Sequence, residues 1–533
     1  MTTVSRDPVP PVPPGGAPER SANDRELRRL ARGSTLNLAG SFVTVVLNIV
    51  LPVIITRNYV QGEAGLFFQG AALFTILINV GTVGADTGVL RFLPRAVALD
   101  RRADLRRSLV IALAPAVVFS LLVGGLVLLL AGTLADLLTD TAAASDQFAG
   151  VLRVLALFLP VAVVYVVLIA SSRGLGSVRP LVFVEKIGRN SAETVSAGTA
   201  ATLGAPIILI TVAWVAPYLA ALLVIALWVA GRLRRMAALA ADGAAPRPWR
   251  EMTGEFWRFS APRAVSRIFT IALQRFDVLL VAALRGPADA AVYAVATRFL
   301  VLGLMFVQAI QQVMAPRIAS SLAVDDVGVA KTLYRTTTTW LTLVSWPIYL
   351  VVMLFAPLLL SIFGSSYERG SLAVVVLCAA MLVATVCGPV DSMLLMAGRS
   401  VQSLVNTGLA LALNVSLDLV LVPWLGVSGA ALGWAAAILL NNLLALWQVH
   451  RATGLHPFGP GTRSAMLICV VSWFLVVGAV RLVTGPTLVG LLVGGAAGAA
   501  CFAVLAGRRR GVLELAALAS VAEPLTRRLR RAR

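Results

Sequence analysis

The chain has 533 residues, of which 59% are hydrophobic and only 13% charged, yet its formal net charge is +20. A mean hydropathy of +0.88 excludes a water-soluble fold, which could not bury so much apolar surface. Apolar runs of about twenty residues recur without period-two alternation, which excludes a β-barrel and leaves an all-α, polytopic membrane protein.

Residues 1–33 come first. "MTTVSRDPVPPVPPGGAPERSAND" is polar and rich in Pro and Gly, has no apolar signal-peptide core, and predicts a disordered tail. The basic "RELRRLARG" then leads into the membrane. Spans are predicted at 34–56, 64–90, 108–134, 148–172, 181–203 and 205–231, then at 259–285, 288–313, 336–363, 371–397, 400–422 and 426–449, and finally at 463–484 and 486–507. These fourteen helices divide into an N-terminal six-helix lobe (34–231), a linker (232–258), a C-terminal six-helix lobe (259–449) and two accessory helices (463–507). The basic tail 508–533 reads as an interfacial amphipathic helix.

Most of the 45 basic residues fall on the side of the termini, and only Arg57, Arg153, Arg285, Arg369 and Arg481 fall at the other surface. That asymmetry predicts cytoplasmic termini and accounts for the net charge without nucleic acid. The four cysteines lie in apolar runs without disulfide or metal spacing.

A helix turns 100° per residue, so polar positions can be tested for a shared face. In the seventh span Arg263, Arg267, Thr270, Gln274 and Asp277 lie within roughly 80° of arc. Arg275 lies off that stripe, and either pairing with an acid or a place near the outer end is open to it. The first span aligns Ser34, Asn37, Ser41, Thr44 and Asn48, with Pro52 predicting a kink beyond them. In the second, Thr75, Asn79, Thr82 and Asp86 align; in the eighth, Arg298, Gln308 and Gln312 do so less tightly. Lipid cannot satisfy such stripes, so they face protein or water. All four can face one hydrated, electropositive cavity between the lobes; for the first span, helix–helix bonding is an equally good reading.

Glu185, Arg189 and Glu193 recur every four residues in the fifth span, where mutual pairing explains them. Asp391 and Asp418 are single acids open to cation binding, capping or pairing. Gly490, Gly494 and Gly498 mark a close-packing face. No nucleophile–base pair, metal cluster or phosphate-cradling loop is present, and His450 and His456 both lie in the loop before the thirteenth span; an enzyme is therefore not expected, nor a cofactor.

"STLNLAGSFVTVVLNIVLPVIITRNYVQGEAGLFFQGAALFTIL", "FSAPRAVSRIFTIALQRFDVLLVAALRGPADAAVYAVATRFL" and "LVNTGLALALNVSLDLVLVPWLGVSGAALGWAAAILLNNLL" resemble, in order and spacing, the bacterial polysaccharide (O-antigen-type) flippases. The resemblance implies a multidrug/oligosaccharidyl-lipid/polysaccharide exporter fold in the bacterial plasma membrane. It also implies transport of a polyprenyl-pyrophosphate-linked oligosaccharide to the outer leaflet, for lipopolysaccharide or exopolysaccharide. Membrane lipids, a polysaccharide polymerase and glycosyltransferases are the partners it brings. Substrate-binding candidates are then Arg263, Arg267, Gln274, Asp277, Arg298, Gln308, Gln312, Asn37, Ser41, Thr44, Asn48, Asn79 and Asp86, with Asp277 and Asp86 as candidates for cation coupling. Drug/cation antiporters and lipid II flippases share the fold. The first span lacks the acidic pattern of the former and the arginines of the latter.

Overall fold

The structure, a computed structural model, describes residues 40–238, 247–323, 326–396 and 399–514. Every regular element there is helical. The expected tail over 1–33, Asn37, the centre of the linker and the segment beyond 514 lie outside the described residues.

The first half comprises α1 (Gly40–Asn58), α2 (Gln61–Thr82), α3 (Ala85–Ala98), α4 (Ala103–Leu129), α5 (Ala131–Leu138), α6 (Ala142–Gly174), a π-helical segment (Leu181–Arg189) running into α7 (Asn190–Thr202), α8 (Ile207–Val215) and α9 (Pro217–Ala238). The second half has α10 (Trp249–Arg285), α11 (Pro287–Ala296), α12 (Arg298–Ala323), α13 (Val327–Leu354), α14 (Ala356–Ser361), α15 (Ser371–Cys387), α16 (Val390–Met396), α17 (Ser400–Leu425) and α18 (Val427–Thr453). Then come α19 (Pro460–Cys469), a second π-helical segment (Val470–Val476), α20 (Val477–Thr484) and α21 (Leu488–Arg508).

Among the described residues, twelve helices are long and apolar enough to cross a membrane. The fourteen expected spans exceed this by two, 181–203 and 259–285, each with at least four charged residues. Both nevertheless run the full depth of the bundle. Val182 and Lys186 pack at Gly40, the start of α1, whereas Gly198 meets Ile54 and the Ala205 carbonyl accepts a hydrogen bond from Tyr59 at its other end. In α10 Glu255 near the start pairs with Arg95 of α3, and Arg285 at the end donates to the Pro423 carbonyl of α17.

One boundary differs from expectation for a local reason. The second span is split, because Val83 (φ 48°) and Gly84 (φ 81°) adopt left-handed conformations between α2 and α3. The first helix, α1, runs through Pro52 to Asn58.

The loops sort cleanly to two ends. At the end opposite the described termini, Arg57 donates to the carbonyls of Ile362 and Ser361 (both 2.8 Å). Arg369 bridges Asp289 (2.9 Å) and Gln61 (3.1 Å), and Asp289 also pairs with Arg285 (3.3 Å). These contacts join the first half to the second. Beneath them α2 packs directly on α11: a Cβ at Gly65 would stand 1.9 Å from the Pro287 carbonyl oxygen, so only glycine lets the two helices approach this closely. At the other end, Glu255 of α10 pairs with Arg95 and Arg247, and the Arg247 N–H donates to Asp104 (3.0 Å). Burial pushes the Glu255 carboxyl up, but its bonds and charge pairing with Arg95 and Arg247 outweigh that and leave it below the usual range. Far from the site, Gly490, Gly494 and Gly498 form the buried face of α21, where Gly494 and Gly498 meet Val477 as their spacing predicts.

Candidate functional site

The site is built on α10, a 37-residue helix whose polar stripe crosses an otherwise apolar element. Arg263 is exposed and stacks over Phe259 (5.3 Å to the ring centroid). One turn deeper, exposed Arg267 donates from Nε to Asn79 Oδ1 of α2 (3.2 Å). This bond joins the stripes of the two halves. Asn79 turns its amide N–H to the Thr75 carbonyl (2.8 Å), leaving its oxygen to the arginine. Gln274 is exposed a further two turns along, as are Gln308 on α12 and Asn48 on α1. The Gln312 side chain lies outside the described residues.

Arg298 opens α12 at the level of Arg275, and the two guanidinium groups are close enough to repel. Among the described residues neither has an acid as an ion-pair partner. Arg298 Nε is buried without a hydrogen-bond partner. Across the interface between the halves, Phe68 of α2 presents its ring to Arg298 (6.0 Å). Two adjacent, largely desolvated cations without a counter-ion among the described residues make a place that favours negative charge. Arg275 escapes the stripe analysis because its helical phase differs; its partner comes from α12, which periodicity within α10 does not report.

Three expected cavity residues prove to be engaged within one half. Ser41 accepts from Lys186 Nζ (2.6 Å), and Thr44 accepts from Asn190 Nδ2 (3.2 Å) while its hydroxyl donates to the Gly40 carbonyl (3.0 Å). These two therefore fasten α1 to the fifth span. The third is Asp277, only 2% exposed and turned into the second half. There Oδ2 accepts from the Tyr293 hydroxyl (2.7 Å), and Oδ1 accepts from the Asn414 amide (2.7 Å) when that group is oriented to receive the Trp434 N–H (3.2 Å). Asp418, fully buried one turn beyond Asn414, lies beside the Asp277 carboxyl and keeps one oxygen without a hydrogen-bond partner. A Cβ at Gly433 would lie 2.1 Å from an Asp418 oxygen, so α18 needs glycine there. Two carboxyls in contact require a shared proton or a cation between them. The Asn414/Asp418 spacing of one turn was the available signal, but only the fold places it against Asp277.

Asp86 sits in the first turn of α3, where the helix dipole favours its charge, and one of its oxygens is buried without a partner. Asp391 accepts from Ser403 (2.5 Å). Arg189 pairs with Glu193, bonds Asn190 (2.9 Å) and lies over the rings of Tyr218 (4.5 Å) and Tyr165 (5.7 Å). This is the self-paired network expected of the fifth span.

Similarity to known proteins is consistent with this geometry. A search of curated proteins gives no match. Among solved structures, the fold resembles the lipid II flippase MurJ in an inward closed conformation (TM-score 0.70, 10% identity, 89% of this chain and 99% of that one). It also resembles an inward-facing multidrug resistance MATE family transporter of the MOP superfamily (TM-score 0.65, 15% identity, 79% and 98%). A third likeness is a MOP superfamily transporter from Pyrococcus furiosus (TM-score 0.55, 17% identity, 79% and 95%). At these identities the likeness establishes the fold alone, one shared with those transporters. Residues 68–371, more than half of the chain, match the family described as polysaccharide biosynthesis protein, and the chain belongs to that family.

Proposed function

We propose that the protein is a flippase, not an enzyme, which moves a polyprenyl-pyrophosphate-linked oligosaccharide from the cytoplasmic to the outer leaflet of the bacterial plasma membrane. It would do so by alternating access, supplying cell-surface polysaccharide biosynthesis. The observation that supports this reading is the pair Arg275 and Arg298 at the interface between the halves, which has no counter-ion among the described residues. Pyrophosphate is a compact multivalent anion, and guanidinium meets it through paired N–H donors while keeping its charge in a low dielectric. Arg263 and Arg267 extend positive charge from the near end toward that pair, a gradient that draws the headgroup inward. Gln274, Gln308, Asn48 and Asn79 are suited to sugar hydroxyls, and the polyprenyl chain remains in lipid.

In this reading 181–203 and 259–285 count as the fifth and seventh of fourteen spans, and the termini are cytoplasmic. The lobes 34–231 and 259–449 rock against each other across the 232–258 linker. The collar around Asp289 and Arg369 closes the outer side. Export should stop in cells when Arg267 is replaced by Ala, with the protein still in the membrane. Surface polysaccharide measured by immunoblot at wild-type level would count against the assignment.

Coupling is assigned to the carboxyl pair Asp277–Asp418 in place of Asp86, because only the pair is fully enclosed and in mutual contact. A proton or cation taken up there removes the repulsion between the two acids and changes how tightly α10 is held to α17. Asp418→Asn is expected to keep the Asn414 and Tyr293 contacts but to make transport insensitive to the ion gradient. A transport rate that still rises and falls with an imposed proton or sodium gradient would argue against this coupling site.

A further inference from the structure

We infer that the groove at the near end of α18 binds an anionic phospholipid, with an acyl chain along Leu443, Leu446, Trp447 and Phe458 and the phosphate against Arg335 and His456. The groove has a volume of about 400 Å³ and is lined by those four apolar residues together with His450 and His456. That volume falls within the ~300–1,000 Å³ typical of small-ligand sites. Trp447 is 54% exposed and Leu443 48%, so the apolar wall is open to its surroundings. It occupies the last turns of an apolar span and the loop that follows, the depth of lipid headgroups, where tryptophan is favoured.

The chemistry changes from apolar to basic along the groove. Arg335 Nη2 lies 2.8 Å from His456 Nε2. Arginine only donates, so Nε2 is the acceptor and the ring proton stands on Nδ1, where it has no partner among the described residues. His450 Nδ1 lies 3.3 Å from the Leu455 carbonyl, which can only accept, so His450 donates there. The rings of the two histidines meet edge-on at 6.1 Å, and Arg451 stacks over Trp447 at 5.4 Å. Burial, and then the charges of Arg335, Lys331, His450 and Arg463, hold His456 below its usual range. Two acids on this side of the fold have other partners: Asp326 caps the start of α13, and Glu514 accepts from Thr336 (2.5 Å).

An apolar channel ending in a cluster of cations matches the two parts of an anionic phospholipid, whereas a choline headgroup would bring another positive charge into the same field. The site lies on α18 and α13, away from α10, so it and the flippase reading can fail separately.

Native mass spectrometry of the detergent-purified full chain, with phosphatidylglycerol, phosphatidylcholine or inorganic phosphate added, tests the inference. Wild type should retain phosphatidylglycerol and not phosphatidylcholine, and inorganic phosphate should not displace the bound lipid. Arg335→Gln should weaken retention about tenfold by removing a charged contact. Leu446→Trp, which fills the groove and leaves every charge in place, should do the same; it decides the matter if Arg335→Gln does not yield monodisperse protein. Equal retention by Leu446→Trp and wild type, equal binding of phosphatidylcholine, or displacement by inorganic phosphate would each overturn the lipid site.

Discussion

Cells in which Arg298 is replaced by Gln are expected to lose surface polysaccharide while holding the protein at its normal membrane level. The residue stands at the interface between the halves, with Nε buried and unpartnered and Arg275 as its charged neighbour. Removing one guanidinium takes away charge-assisted hydrogen bonds worth roughly 1.5–3 kcal/mol each, which is about ten- to a hundredfold in affinity for an anionic headgroup. The same substitution relieves repulsion between the two arginines, so the protein itself should be no less stable than wild type. That pairing of outcomes separates a binding role from a structural one. Arg298→Lys keeps the charge but not the two-pronged donor geometry and should restore only part of the export. Arg275→Gln should behave like Arg298→Gln. Immunoblots of surface glycan, read beside membrane protein level and thermal stability in detergent, check all three; reduced stability with unchanged export would contradict the role given to the pair.

Arg189→Ala should act in the opposite way, through stability. Arg189 and Glu193 are 13% and 10% exposed, and the guanidinium is sandwiched against Tyr218 and Tyr165. Truncating the arginine leaves the Glu193 carboxylate enclosed without its partner, at a cost of about 3–5 kcal/mol. The double change Arg189→Ala with Glu193→Gln removes both charges and should recover more than half of that loss. Melting temperatures of the four proteins form a double-mutant cycle. If the single and double variants melt together, the pair contributes little and the network around the π-helical segment is held by packing alone.

Hydropathy and charge made the helical, membrane-embedded class legible, because lipid leaves a polypeptide few ways to satisfy its backbone. Composition alone does not single out 181–203 and 259–285, whose charges set them apart from the twelve apolar helices. Helical phase was less reliable for the site. Arg263, Arg267 and Gln274 of the stripe are exposed, but the same arc also holds Asp277, which sits at its edge where α10 turns against α17 and is therefore enclosed. Phase likewise put Ser41 and Thr44 on a single face of α1 without saying that the face meets Lys186 and Asn190. A stripe specifies an angle, whereas the partner at that angle depends on which helix lies alongside. For the same reason Arg275 with Arg298, and Asp277 with Asp418, become visible only once distant segments are folded together.

The most direct measurement is headgroup translocation in proteoliposomes, using a polyprenyl-pyrophosphate oligosaccharide and a neutral glycolipid with the same sugar. The wild-type protein should move the pyrophosphate-linked substrate and leave the neutral one in place, and the Arg275→Gln, Arg298→Gln double variant should match protein-free vesicles. Movement of the neutral lipid at the same rate, or undiminished pyrophosphate transport by the double variant, would contradict an anion-recognising flippase.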